Sequence, residues 1–249
     1  EVFPPSRALQ GDKIVSYDYC RKLSTKRGSY QGKLWGKSKA HSPQLASRCF
    51  KGSPPGESSI LPFAGKKQMS EKTLPIILEY CGGEQTDRLY EALSSWNPET
   101  ALLVLDNGSP NFRCKCSTHR RPTNSFVGGG IKHCIALARE HQADYLLFIV
   151  NDVIPLTKID FKIFERLMEQ DSEIVLAGTS VSADSDKAAY YKWMIHQPES
   201  EVRLVIHRDL LFCIIRLDFI DTFGGFPESR SGYGFDFEIA YQAKIQNKK

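Results

Sequence analysis

The sequence of 249 residues lacks any long hydrophobic run. Its longest apolar stretch, Tyr145 to Val150, is far shorter than the roughly 18 residues that a membrane-spanning helix needs. The start of the chain lacks the charged segment, apolar core and small-residue cleavage site of a secretory signal. The seven cysteines are odd in number and irregularly spaced, which argues against a disulfide framework and favours reduced thiols. Together these absences predict a cytoplasmic protein without a transmembrane segment.

Charge is distributed unevenly along the chain. Residues 1–68 contain 13 Lys or Arg against four Asp or Glu, whereas the remainder carries 20 basic and 25 acidic residues. The first segment also contains 10 Ser, seven Gly and six Pro, without helical or strand periodicity. Such a composition cannot bury enough apolar surface to offset the entropy lost on ordering. We therefore predict a largely disordered basic leader over residues 1–68.

The folded domain is expected to occupy residues 69–249. Met69 is the first methionine and stands directly before a strand-like segment, which suggests that the leader is appended to the domain. The chain ends at Lys249, soon after its last recognisable motif, which suggests a truncated C-terminus. Nucleic-acid binding by the leader would rest on its charge alone, so we do not expect a nucleic-acid partner.

After Met69 the chain alternates apolar strands with amphipathic helices. Strands are predicted over residues 74–80, 101–105, 145–150 and 174–178, with one or two more within 202–217. Helices are predicted over 86–96, with Thr86 as its cap, and over 128–141, 161–170, 217–223 and from 236 onward. This order is typical of an α/β protein with a parallel sheet covered on both faces. Ligands of such sheets bind beyond the carboxyl ends of the strands.

Polar side chains follow the predicted strands at these ends. Asp106 comes directly after the second strand, with Asn107 and Ser109 beside it, and Asn151 and Asp152 follow the third. A carboxylate at the place of Asp106 suits the N–H edge of a base or a ribose hydroxyl, and an Asx turn or helix cap is the equal alternative. At Asp152 the alternatives are a divalent ion shared with ligand phosphates and a cap for the next turn.

Three consecutive glycines, Gly128, Gly129 and Gly130, stand at a predicted helix start. They would either bring backbone N–H groups close to a phosphate or allow the helix to pack tightly against the sheet. The triplet matches neither the dinucleotide-binding fingerprint nor the P-loop.

A second weak pattern is the pair Cys114 and Cys116, with His119 and His133 nearby. These are residue types that bind zinc, but C-x-C spacing is unusual and no second pair follows. The sequence therefore does not favour zinc at these residues.

Five motifs occur in a fixed order along the chain after Met69. They are Asp106-Asn107-Gly108-Ser109, Asn124 with Gly128-Gly129-Gly130, Asn151-Asp152-Val153, Phe223-Gly224-Gly225-Phe226-Pro227-Glu228, and Gly234-Phe235-Asp236-Phe237-Glu238. Over residues 74–245 this series resembles the inverting family 2 nucleotide-sugar glycosyltransferases of GT-A fold, especially rhamnosyltransferase-like members. The resemblance implies an α/β fold with a Rossmann-like, mainly parallel sheet flanked by helices.

The resemblance also implies roles for individual residues. Asp152 would hold a divalent metal ion, Mn²⁺ or Mg²⁺, on the diphosphate of the sugar donor. Asp236 would act as the general base, and Glu238 is the acidic position two residues later. The residues implied in binding the donor nucleotide are Tyr80, Asp106, Asn107, Ser109, Asn124, Gly128, Gly129, Gly130 and Asn151.

The implied activity is transfer of a sugar from a nucleotide-diphosphate donor to a hydroxyl of a glycan or lipid-linked acceptor, with inversion, in polysaccharide or cell-wall biosynthesis. Contact with a membrane would be peripheral, through the acceptor. Two departures are visible: Asn151-Asp152 contains a single acid, and Phe235 replaces the acid that usually precedes the base. The alternative is therefore a catalytically degenerate nucleotide-binding or scaffold member, in which Asp236 only complements the helix dipole.

Overall fold

The described residues, seen here in a computed structural model, form a mixed six-stranded sheet flanked by helices. The structure describes residues 72–185, 192–198, 202–205, 207–226 and 234–249. The predictions for the leader over 1–68, for the domain start at Met69 and for Pro227 and Glu228 lie outside these residues.

The elements follow one another in the alternating order that the sequence predicts, apart from a short strand at His119–Arg120, which is not predicted. The strands are β1 (Thr73–Glu79), β2 (Leu103–Asp106), β3 (His119–Arg120), β4 (Tyr145–Val150), β5 (Leu176–Gly178) and β6 (Phe212–Arg216). The α-helices are α1 (Glu84–Trp96), α2 (Phe126–Glu140), α3 (Phe161–Gln170), α4 (Leu217–Thr222) and α5 (Phe235–Ile245), and a 3₁₀ turn covers Lys192–Met194.

The strands lie in the order β3-β2-β1-β4-β6-β5. β1 pairs in parallel with β2 and β4, and β2 pairs in parallel with β3. β6 runs antiparallel to both of its neighbours, β4 and β5. Five of the six described strands therefore run in one direction, as expected for a mainly parallel sheet, and the sheet is mixed because β6 is reversed. A strand buried on both faces is a continuous apolar run in either direction, so the residues of β6 carry no signal of its reversal.

Two apolar clusters cover the two faces of the sheet. Alternate residues of β1 point to opposite faces: Ile76 and Leu78 belong to the cluster with α2, α4 and α5, and Ile77 belongs to the cluster with α1 and α3. All seven residues of β1 are buried, as are five of the six in β4. Double coverage therefore accounts for the uninterrupted apolar strands in the sequence.

The starts of α1 and α2 each differ from the predicted ones by two residues. α1 begins at Glu84 after Gly83, whose φ of 51° is accessible to glycine. Thr86 is not its cap, because this residue is buried in the first turn and its hydroxyl donates to the Glu79 carboxylate. α2 begins at Phe126, so the three glycines lie within its first turns rather than before it.

Within 202–217 the described residues form the single strand β6, and the final helix α5 starts at Phe235, one residue before the predicted position. Among the described residues, no helix combines the length and apolarity that crossing a bilayer requires.

Gly130 allows α2 to pack closely on β1. A Cβ atom at Gly130 would lie 2.7 and 2.8 Å from the two methyl carbons of Leu78 and 3.3 Å from the Asn107 amide nitrogen. Neither distance to Leu78 is compatible with normal carbon–carbon contact. The packing alternative for the glycine triplet therefore holds at this position.

We expect Gly130→Ala to lower the free energy of unfolding by about 1–3 kcal/mol, because the added methyl group overpacks the α2–β1 contact. Urea denaturation of Gly130→Ala, Leu78→Ala and the double variant measures this effect as a double-mutant cycle. Removing the Leu78 side chain makes room for the new methyl group, so the double variant should be more stable than the sum of the single losses predicts. Strict additivity would contradict the contact.

Candidate functional site

The predicted site residues lie along one edge of the sheet, which we call the carboxyl edge. It comprises the carboxyl ends of the parallel strands β1, β2 and β4, where Glu79 pairs with Asp106 and Leu78 with Val150. Because β6 is antiparallel to β4, its first residue, Phe212, lies at this edge opposite Ile149. The segment before β6 therefore reaches the same edge as the loops after β1, β2 and β4.

The strand order places a topological switch point between β1 and β4. The chain proceeds from β1 through β2 to β3 on one side and returns with β4 on the other side of β1. The connecting helices α1 and α2 cover opposite faces. In open α/β sheets, the crevice at such a point binds ligands beyond the carboxyl ends of the strands.

Glu79 is buried at this switch point and is fully supplied with donors. Its side chain accepts hydrogen bonds from Gly82 N at 2.8 Å, Gly83 N at 3.4 Å and Asn151 Nδ2 at 2.8 Å, and from the Thr86 hydroxyl. Its relative exposure is 0%. A carboxylate can be buried at tolerable free-energy cost only when donors replace its lost water. Glu79 therefore ties the loop after β1 to the end of β4.

Asp106 and Ser109 form a closed turn after β2. The Asp106 Oδ1 accepts from Ser109 N at 2.7 Å, and its Oδ2 lies 3.6 Å from Arg120 Nη1. The Ser109 Oγ accepts from Cys81 N at 2.8 Å. Asp106 is 1% exposed and Ser109 is 0% exposed. The Asp106 carboxylate therefore caps its own loop, through the N–H three residues on, and Asp106 and Ser109 shape the edge from the protein interior.

Asn107 connects the end of β2 to the start of α2. Its Oδ1 accepts from Ser125 Oγ at 2.7 Å, and its Nδ2 donates to Asn124 Oδ1 at 3.1 Å and to the Phe126 carbonyl at 2.9 Å. The Asn124 Oδ1 also accepts from Phe126 N, the first N–H of α2, at 2.7 Å. The predicted nucleotide-binding residues Asn107 and Asn124 thus lie together and hold the α2 start, beside the buried Gly128.

Asn151 and Asp152 differ in their surroundings. The Asn151 amide is half-buried and donates to Glu79, and the Asn151 carbonyl accepts from Gln85 Nε2 at 3.2 Å. Asp152 is exposed. Tyr80, at the end of β1, is 43% exposed. Asp152 and Tyr80 are therefore the predicted site residues at the switch point whose side chains are exposed to a ligand in solvent.

Asp236 is paired with His207, which lies 29 residues earlier in the chain. The Asp236 Oδ2 lies 2.6 Å from the His207 Nε2, and the two residues are 8% and 4% exposed. Phe237 stacks on the His207 ring at 4.0 Å between centroids, and the Trp193 Nε1 donates to the His207 carbonyl at 2.7 Å. His207 lies just before β6, so this pair fastens the start of α5 to the carboxyl edge.

The pKa of Asp236 lies below its ordinary value. Burial acts to raise it, but the hydrogen bond and charge of His207 and the backbone N–H groups at the start of α5 outweigh burial. These donors all favour the ionised form. Asp236 is consequently a carboxylate at neutral pH.

Glu238 is not brought together with Asp236. The two are two residues apart on α5, and residues at that spacing point to different sides of a helix. Glu238 instead accepts from Gln242 Nε2 at 2.8 Å, one turn further along the same helix. Its predicted catalytic role therefore has no geometric link to the His207–Asp236 pair.

Glu79 and His207 are the residues of this edge that the sequence does not reveal. Glu79 lies within an apolar strand pattern and precedes Gly82-Gly83. An acid inside such a buried pattern was the signal by which the sequence could have identified this residue. His207 is 29 residues from Asp236, and no sequence spacing connects the two.

Comparison with models of known protein families gives no match for this chain, and comparison with curated proteins gives none either.

The lowered pKa of Asp236 predicts a pH dependence of stability. A depressed carboxylate pKa stabilises the fold above the unfolded-state pKa, and this contribution is lost as the pH falls through the folded-state value. We expect wild type to lose more stability than Asp236→Asn between about pH 6 and about pH 3. Urea midpoints at both pH values measure this difference. Asp218→Asn, an exposed acid at the start of α4, is the matched control and should follow wild type.

Proposed function

We propose that the protein is a nucleotide-sugar glycosyltransferase of GT-A type, similar to the inverting family 2 enzymes and their rhamnosyltransferase-like members. It transfers a sugar from a nucleotide diphosphate to a hydroxyl of a glycan or lipid-linked acceptor. The proposal depends on one observation, that three features lie along the same edge of the sheet. They are the Asp106 turn, the Asn151-Asp152 end of β4 and the His207–Asp236 pair. The resemblance assigns these three places to nucleotide, metal and base.

The donor nucleotide fits at the switch point between β1 and β4. The hydrogen-bonded groups of Asp106, Asn107, Ser109 and Asn124 give this edge a rigid wall, because each side chain already has a defined partner. Tyr80 offers an exposed aromatic surface at the end of β1. An aromatic face beside a preorganised polar wall suits the base and ribose of a nucleotide.

The diphosphate fits beside Asp152. A hard cation such as Mn²⁺ or Mg²⁺ takes oxygen ligands and binds through one or two carboxylates together with phosphates and water. Asp152 is exposed and offers one such carboxylate, while the Asn151 amide is held by Glu79. When bound, the ion supplies positive charge to the leaving diphosphate.

Asp236 is the group suited to accept the proton of the acceptor hydroxyl. A general base must be ionised before it acts, and the His207 hydrogen bond favours that form and fixes the orientation of the carboxylate. With Oδ2 bonded to His207, Oδ1 is the oxygen that faces the hydroxyl in this proposal. Attack by that hydroxyl on the side opposite the diphosphate inverts the anomeric centre.

A catalytically degenerate nucleotide-binding protein is the second candidate. Two observations favour it: Asn151-Asp152 contains a single acid, and the Asp236 side chain is 12% exposed with one oxygen bonded to His207. In that case the carboxyl edge still binds a nucleotide, but no sugar is transferred.

We expect one nucleoside diphosphate to raise the melting temperature in a Mn²⁺-dependent manner, because a ligand that binds only the folded state stabilises it by mass action. The measurement is a thermal-shift series with UDP, GDP, dTDP and the monophosphate CMP, each with and without Mn²⁺. Asp152→Asn should lose the Mn²⁺-dependent part, whereas Asp218→Asn, at the start of α4, should keep it. Absence of any shift in folded wild type would contradict the proposed donor site.

Asp236→Asn separates the two candidates. With the sugar nucleotide whose diphosphate binds, wild type should release the diphosphate in the presence of a hydroxyl acceptor, and the variant should be about 10²- to 10⁴-fold slower. Nucleotide binding by the variant should be unchanged, because Asp236 contacts the acceptor in this proposal. Full activity of Asp236→Asn would contradict the base assignment. Binding without turnover in wild type would favour the degenerate protein.

A further inference from the structure

Three side chains with metal-ligating atoms come together next to the carboxyl edge. Asp87 lies in the first turn of α1, and Cys114 and Cys116 lie in the segment between β2 and β3. One ligand atom from each, a carboxylate oxygen and two sulfur atoms, lies within 4.8 Å of the other two. The residues come from two separate parts of the chain, so the fold rather than sequence proximity assembles the cluster.

The donor set is that of a thiophilic divalent ion. Zinc is bound in proteins by Cys sulfur, His nitrogen and Asp or Glu oxygen, with four ligands in a tetrahedron. In a tetrahedron with metal–sulfur bonds of about 2.3 Å the sulfur atoms lie roughly 3.7 Å apart. In the structure the three ligand atoms lie within 4.8 Å of one another, so the side chains need to move only slightly closer together to coordinate an ion.

Asp87 is already held in place by the segment that carries the two cysteines. Its Oδ1 accepts from Lys115 N at 2.7 Å and from Cys116 N at 3.0 Å. A carboxylate has two oxygens, so Asp87 can keep both of these hydrogen bonds and offer Oδ2 to an ion. Hydrogen bonds of this kind orient a ligand and increase the affinity of a metal site.

The two thiols and the Asp87 carboxylate are in mutual contact, since the Cys116 thiol is hydrogen-bonded to both Asp87 and Cys114. Cys114 is buried, whereas Asp87 and Cys116 are half-buried, so the cluster has one side open to solvent. An ion can enter from that side, and a water molecule can occupy its fourth position.

The histidines that the sequence places beside these cysteines are not part of the cluster. The His119 Nδ1 lies 3.0 Å from the Thr118 hydroxyl, at the strand β3, and His133 lies on α2. The third ligand-bearing residue of the cluster is instead Asp87, which precedes Cys114 by 27 residues.

We propose that Asp87, Cys114 and Cys116 bind one zinc ion, with a water molecule as the fourth ligand. The ion would link the segment between β2 and β3 to the start of α1. The Asp106 turn begins this segment, so the ion would also stabilise the wall that the turn forms. This site is separate from the magnesium or manganese position at Asp152 and does not depend on sugar transfer.

The test is metal titration of the full chain, reduced and freed of metal by a chelator. We expect one equivalent of Zn²⁺ to bind and to raise the melting temperature. Co²⁺ in its place should give the near-ultraviolet charge-transfer absorption that only thiolate ligands produce. Cys114→Ser/Cys116→Ser should lose both signals, whereas Cys20→Ser/Cys49→Ser, which removes two cysteines elsewhere in the chain, should keep them.

A second pair of variants tests the carboxylate ligand without removing a thiol. Asp87→Asn retains an oxygen for the Lys115 and Cys116 N–H groups but loses the charge, and we expect its affinity for Zn²⁺ to fall at least about 10-fold. Glu84→Gln removes an exposed acid from the same helical turn and should bind as wild type does. Failure of reduced wild type to take up zinc, or equal uptake by Cys114→Ser/Cys116→Ser, would overturn the proposal. Equal affinity in Asp87→Asn would overturn the ligand set.

Discussion

The buried carboxylate of Glu79 is the constraint on which the carboxyl edge depends. A charge in the interior must be met by donors, and here those donors come from the turn after β1, from the first turn of α1 and from the end of β4. Their positions are consequently not independent. The backbone conformation of Gly83 and the absence of a side chain at Gly82 follow from this requirement, since a Cβ at Gly82 would lie 2.1 Å from Asn151 Nδ2.

The other polar groups of the edge are arranged around this centre in the same manner. Asp106 accepts a hydrogen bond from Ser109 within its own turn, whereas Asn107 and Ser109 also bond to groups of neighbouring loops. Asp87 does the same for the segment between β2 and β3. Beyond the ends of the strands, hydrogen bonds between loop residues hold the backbone in place, as strand pairing does within the sheet. A ligand therefore meets a surface whose polar groups are already oriented, and this lowers the entropy that binding would otherwise cost.

Much of the fold was predictable from the sequence, because its signals are local. The apolar runs of β1 and β4 and the amphipathic spacing of α3 identify their elements, and the observed bounds of β4 and α3 agree with the predicted ones. The antiparallel direction of β6 was not predictable from the sequence. A strand that is buried on both faces is a continuous apolar run, and such a run does not indicate the direction in which the strand pairs. The pairing of His207 with Asp236, and of Asp87 with Cys114 and Cys116, joins distant residues that only the folded chain brings together.

The position of β6 has a consequence for motion. β6 is hydrogen-bonded to β4 on one side and to β5 on the other, and four of its five residues are buried. Its backbone amides should therefore exchange with deuterium as slowly as those of the central strands, at the free energy of global rather than local unfolding. His207, which orients Asp236, lies five residues before this strand. The His207–Asp236 pair is therefore close in the chain to a strand whose backbone should open only on global unfolding.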